Sequence, residues 1–156
     1  MRLLLGILFL LASMGISVAF LNKNKRKVEF LEDLCAFHAK IGTANLYHQS
    51  ILSVIDGFHC RESFTEMLTI IKSKLKSGEL LFVKQDDLTE SQRSELNEYF
   101  AGICALERVN RDEFIKNYAN TFDAWKKQEQ ETYEKCKKTY LKLGFLFGLM
   151  LLIIII

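Results

Sequence analysis

Few residues in this chain have both the type and the spacing that chemistry requires. Cys35 and His38 stand three apart, on one face if the segment is helical, and could share a metal ion. The next candidates, His59 and Cys60, are adjacent and cannot easily turn to the same ion. Structural zinc needs four convergent ligands, so no metal site is expected. His48 reads as a turn or surface residue. The neighbouring carboxylates of Asp86 and Asp87 point in different directions, which suits a solvated loop better than an acid/base pair. No Gly-rich phosphate loop opens a helix, so nucleotide hydrolysis has no site. Lys126-Lys127 and Lys137-Lys138 read as solvated faces near a membrane, where anionic lipid headgroups add about 1 kcal/mol per basic residue. The expectation is a chain with no catalytic residue, no cofactor and no small-molecule substrate.

The elements that must carry these residues are framed by two apolar ends. Residues 3–21 are uncharged, close to the roughly 20 needed to span a bilayer as a helix. Lys23, Lys25, Arg26 and Lys27 follow directly. Residues 143–156 are wholly apolar, and Lys135, Lys137, Lys138 and Lys142 precede them. Basic flanks belong on the cytoplasmic face, which predicts a membrane hairpin with both termini outside. Ser17-Val18-Ala19 passes for a cleavage site, but a signal peptide carries its charge ahead of the apolar run, and here the stronger charge lies behind. The second apolar end is short. From Leu141 it offers about 16 residues, or some 24 Å as a helix, so Lys142 must snorkel or the bilayer thin.

The expected division is therefore 1–21 and 141–156 as transmembrane anchors, with 22–140 as one cytosolic domain. Of 21 basic residues one is Arg2, which leaves 20 against 19 acidic ones over the rest of the chain. That balance argues against nucleic acid as a partner. Cys35, Cys60, Cys104 and Cys136 form no CxxC pair, and a cytosolic domain keeps them reduced.

The chain has no proline, and its periodic segments run uninterrupted. The fold class expected is all-α: a bundle of about five to six helices between an N-terminal and a C-terminal transmembrane helix. Val28, Leu31, Leu34, Cys35, His38, Ile41 and Gly42 make one stripe, on a helix that can run on from the first anchor. Ser50 to Asp56 reads as a short helix stopped at Gly57. Ser63-Phe64-Thr65-Glu66 and Thr89-Glu90-Ser91-Gln92 match the capping box. The first opens a helix burying Phe64, Met67, Leu68, Ile71 and Leu75, and the second one burying Leu96, Tyr99, Phe100, Ile103 and Cys104. Leu80 to Val83 has no partner strand and reads as helical or irregular. Asn110 caps a last helix whose stripe holds Phe114, Tyr118, Phe122, Trp125 and Glu129, then Tyr133, Cys136 and Tyr140. Trp125 there suits a core better than a binding platform, and Trp125→Ala is expected to cost about 3–5 kcal/mol.

Four small residues in the anchors stand out. Gly144 and Gly148 are four apart on one helix face, the arrangement that lets helices approach closely in lipid. Gly6 and Ser13, about two turns apart, are candidate partners in the first anchor. Glycine is also simply common in membrane helices, and the sequence leaves the two readings level.

The ends carry a likeness as well. Arg2-Leu3-Leu4-Leu5-Gly6 with Leu11-Ala12-Ser13-Met14-Gly15-Ile16 resembles the opening of the stage III sporulation protein AB family of endospore-forming bacteria. Tyr140-Leu141-Lys142-Leu143-Gly144-Phe145-Leu146-Phe147-Gly148-Leu149 is similar to that family's Leu-Gly-x-Leu-x-Gly-Leu ending, and Phe100-Ala101-Gly102 lies near its Phe-Gly pair. Two stretches depart. Gln49-Ser50-Ile51-Leu52 stands where the family often has Thr-Pro-Leu, and Ala105 to Val109 where it tends to have Leu-Gly-x-x-Asp. The resemblance implies a noncatalytic part of the secretion-like complex joining mother cell and forespore. Its helical domain would be related to those of type II secretion and type IV pilus platform proteins. Implied partners are a separate secretion-type ATPase, ring-forming membrane subunits and membrane lipid. The alternative is a membrane-anchored helical adaptor or regulator outside sporulation.

Overall fold

The computed structural model describes residues 2–47, 49–77, 88–105 and 108–155; at 2–7, 9, 10, 76, 104, 108–110, 151, 152 and 155 it describes the backbone alone. The described residues form five α-helices and no strand: α1 (Arg2–Leu46), α2 (Ile51–Asp56), α3 (Glu62–Ser77), α4 (Glu90–Ala105) and α5 (Arg108–Ile155). The count is lower than the five to six helices plus two anchors expected. No proline or turn separates either apolar end from the amphipathic helix beside it, so α1 runs for 45 residues and α5 for 48. Among the described residues no helix is long and apolar enough to cross a membrane. Side chains at 2–7, 9, 10, 151, 152, 155 and 156, which belong to the two apolar ends, lie outside that description. The Leu80–Val83 run and Asp86-Asp87 also fall outside the described residues.

The chain divides into two compact units. One is Glu29–Lys127; the other pairs Met1–Val28 with Gln128–Ile156.

In the 29–127 unit, α1 supplies more of the core than its predicted stripe. Leu31, Leu34, His38 and Ile41 are buried as that stripe requires, but so are Phe30, Phe37 and Ala44, seven apart along an adjoining face. Together they make the wide apolar stripe of a helix covered from more than one side. Phe37 lies 5.3 Å from Phe58, 5.9 Å from Phe64 and 6.1 Å from Phe100. Tyr99 of α4 packs edge-on to Phe122 of α5 at 4.9 Å. Offset and edge-on rings at these separations add to their buried area. Trp125 is only partly buried, packed on Phe122 at 5.4 Å. The large truncation cost expected at Trp125 therefore moves to the fully enclosed rings.

The helix ends show which local signals the tertiary structure overrides. α2 begins as read: the Ser50 hydroxyl accepts from the Ser53 N–H at 3.2 Å. Gly57 closes it with φ −98°, an ordinary conformation that needs no left-handed turn. At α4, Thr89 and Gln92 form the reciprocal box, Thr89 N–H to Gln92 Oε1 at 3.1 Å and Gln92 N–H to Thr89 Oγ1 at 3.3 Å. The Ser63 box does not cap its helix, because α3 already begins at Glu62, two residues before a Ser63 cap would start it. Arg61 sets that start. Its N–H donates to Asp33 at 3.2 Å, and its guanidinium donates to the Glu29 carbonyl at 2.7 Å and to Glu32 at 2.9 Å. A carboxylate from α1 thus takes the N–H of the residue before the helix, the part that Glu66 was expected to play in the box.

Gly102 admits the ring of Phe114. A Cβ there would stand 2.8 Å and 3.0 Å from two ring carbons, closer than packed atoms tolerate. Gly102→Ala should therefore destabilise by about 1–3 kcal/mol, the usual cost of overpacking, despite the better helix propensity of alanine. A thermal melt would measure it. Phe114→Leu in the same chain should return part of the loss.

Candidate functional site

Within the 29–127 unit, α1 and α5 line a groove of about 570 Å³ that holds Cys35, His38, Gly42, Ile115, Phe122 and Asp123. His38 is buried. Its Nδ1 lies 3.0 Å from the Tyr99 hydroxyl, and its ring meets Phe122 edge-on at 5.3 Å. Burial pushes its pKa below the ordinary 6.5, opposed by a hydrogen bond to the Ile115 backbone and by the charge of Asp123. The neutral ring thus acts as a packed, bonded core group. A histidine whose folded pKa is depressed takes up its proton more readily when unfolded, so stability is complete above pH 6.5 and declines as pH falls below it. The melting temperature should drop between pH 7.5 and 5.5, and His38→Phe should flatten that slope.

Cys35 offers little nucleophilic chemistry. Burial raises its thiol from 9.0 to about 11, with Lys126 opposing and Asp123 adding to the rise. Two units leave about a hundredfold less thiolate near neutral pH, and the thiolate is the reactive form. Alkylation at pH 8 should accordingly be far slower at Cys35 than at an unperturbed thiol, as mass spectrometry would count. Cys35, Cys60 and Cys136 are free thiols; the Cys104 side chain lies outside the described residues. Cys60 contacts Thr65 Oγ1 at 3.2 Å, and His59 is exposed on the loop before it. Among the described residues no three His, Cys, Asp or Glu side chains converge as metal ligands. His48 lies outside them. Lys126 pairs with Asp123 at 3.2 Å, while Lys137 sits 5.8 Å over the Tyr133 ring.

The closer-built arrangement lies in the other unit, where α1 and α5 run side by side. Three contacts set an antiparallel register. Lys27 meets Glu129 at 2.6 Å with both side chains about four-fifths buried. Phe20 stacks on Tyr140 at 6.1 Å. The Ser13 hydroxyl donates to the Gly144 carbonyl at 3.0 Å, and the Ser17 hydroxyl donates to the Ser13 carbonyl at 3.0 Å. A Cβ on Gly144 would lie 3.1 Å from Ser17 Cβ, 3.4 Å from the Ser13 carbonyl oxygen and nearer still to Ser17 Oγ. The backbones are that close because neither helix presents a larger side chain there. So Ser13 and Gly144 are brought together and Gly148 is buried, while the surroundings of Gly6 lie outside the described side chains. Ser17 was missed as a packing residue. Its signal was the four-residue spacing from Ser13.

Beyond this seam the same two helices leave apolar side chains bare. Leu11, Ile16, Phe20, Leu143, Leu146, Phe147 and Met150 are all substantially exposed. No protein-family model, curated protein or solved structure matches the chain.

Proposed function

We propose that the chain is a noncatalytic, membrane-anchored platform whose helical unit binds partner proteins, and that its setting is the secretion-like complex between mother cell and forespore. The observation that carries the membrane part is the exposed apolar surface of α1 and α5 around the Ser13–Gly144 seam. A contiguous apolar surface of this kind marks a membrane or protein contact, and basic residues adjoin it on both helices. Both helix ends insert, the 29–127 unit stays on the cytoplasmic side, and both termini lie outside. The sporulation setting rests on the resemblance of residues 2–16 and 140–149. In that setting the partners are a separate secretion-type ATPase and ring-forming membrane subunits. What supports a noncatalytic role is the chemistry of the described groove: a half-buried thiol held protonated beside a neutral histidine already bonded to Tyr99.

Cysteine labelling tests the topology. A cysteine placed at exposed Ser73 should resist an impermeant reagent in intact cells and react after permeabilisation. Labelling without permeabilisation would sink the orientation. Deleting the gene in the source organism and counting spores tests the setting. A loss of spores is expected; normal sporulation would leave the adaptor reading in its place.

A further inference from the structure

In the register set by the Ser13–Gly144 and Phe20–Tyr140 contacts, the two helices do not change from apolar to charged at the same level. α1 carries no charge from Leu3 to Asn22, but α5 carries Lys142 between those two contacts, level with residues 16–18 of α1. That places Lys142 roughly 7 Å inside the edge of the apolar run on α1, counting about five residues at helical rise. Ile16 and Val18, at that level of α1, are exposed. No carboxylate offsets Lys142: α1 has no Asp or Glu before Glu29, and α5 has none after Glu134.

Lys135, Lys138 and Lys142 fall at i, i+3 and i+7, one face of α5, and the next residue on that face is Leu146. Leu146 lines a groove of about 550 Å³ in the same unit, with Ile16, Leu143, Phe147 and Met150. A row of ammonium groups on one face of α5 therefore ends at Leu146, which lines the apolar trough. Polar floor groups are few, and those of Ser13 and Ser17 are already bonded within the seam.

We propose that this is a binding site for one anionic phospholipid. The phosphate sits among Lys138, Lys142 and Lys135, and an acyl chain lies in the trough from Leu143 and Leu146 towards Met150. The inference rests on the membrane reading above and adds a ligand to it. A lysine stem reaching along apolar surface to an interfacial phosphate is the ordinary way such a charge is accommodated. The trough distinguishes a seated lipid from diffuse attraction, because it lets the acyl chain touch protein on both sides.

The test uses the full chain extracted from membranes with a polymer that retains surrounding lipid. Co-purified phospholipid is measured by headgroup against the bulk membrane. The parent should be enriched in anionic headgroups. Lys135→Gln with Lys138→Gln and Lys142→Gln should return the composition to the bulk ratio. Lys23→Gln with Arg26→Gln and Lys137→Gln removes as many charges elsewhere and should leave the enrichment. Met150→Trp, which fills the trough but keeps the lysines, should lose it. A parent with bulk composition overturns the proposal, as does equal loss in both triple variants, which would reduce it to diffuse charge. Unchanged lipid in Met150→Trp together with lost association with another membrane subunit also overturns it, by giving the trough to a protein helix. Recovery of the parent outside the membrane fraction would instead remove the membrane reading itself.

Discussion

Phe37→Ala is expected to lower the stability of the 29–127 unit by about 3–5 kcal/mol, the range for emptying an aromatic core site. Phe37 has no exposed surface, and its ring touches Phe58 after α2, Phe64 in α3 and Phe100 in α4. One truncation therefore loosens α1 from three segments at once. Since domains hold only about 5–15 kcal/mol in total, the variant should be near its unfolding threshold at physiological temperature. Trp125→Ala should cost clearly less, because Trp125 keeps exposed surface that it does not lose on truncation. Near-ultraviolet dichroism and proteolysis of the purified full chain would rank the two. A Phe37→Ala protein that melts with the parent, or a reversed order, would mean the core is centred elsewhere.

The contrast between these residues explains what could be read in advance. Helical periodicity in α3 and α4 placed Phe64, Met67, Leu68, Ile71, Leu96, Tyr99, Phe100 and Ile103 inward, and these are buried, while Leu75 of the same stripe is only partly so and the Cys104 side chain lies outside the described residues. Each of those helices buries a single stripe, which is what a 3.6-residue period reports. α1 buries two adjoining stripes, so a one-stripe reading left out Phe30 and Phe37. Local capping was legible where both partners lie in one short segment, as at Thr89 and Gln92. It failed at Ser63 because Asp33, some 30 residues earlier, fixes Arg61 and starts the helix ahead of the box. The same limit applies to sites. Cys35 and His38 could be placed on one face, but not beside Asp123 or Tyr99, which arrive from other helices. Gly144 could be marked as a small residue, whereas its register against Ser13 and Ser17 comes from how two distant helices pair.

That register makes Gly144 the position with the largest expected effect on assembly. If the two ends insert as proposed above, Gly144→Leu with Gly148→Leu should insert as well as the parent, since the change only raises apolar content. The seam, however, has no space for it. Even one added carbon at Gly144 would stand 3.1 Å from Ser17 Cβ and 3.4 Å from the Ser13 carbonyl oxygen. A full leucine fits only if α1 and α5 separate, which also breaks the Ser13–Gly144 hydrogen bond and the Phe20–Tyr140 stack. Lipid would not drive the helices back together, because acyl chains solvate the parted faces as well as leucine does. On the function proposed above, loss of association with partner subunits and loss of sporulation are therefore expected at unchanged membrane content. A milder pair separates this seam from a general effect of bulk. Gly144→Ala should impair assembly, and Ser17→Ala should relieve it by removing the nearest atom, so the two changes should be non-additive. If the double leucine variant assembles and sporulates like the parent, the seam is incidental, and glycine stands there only because it is common in such helices.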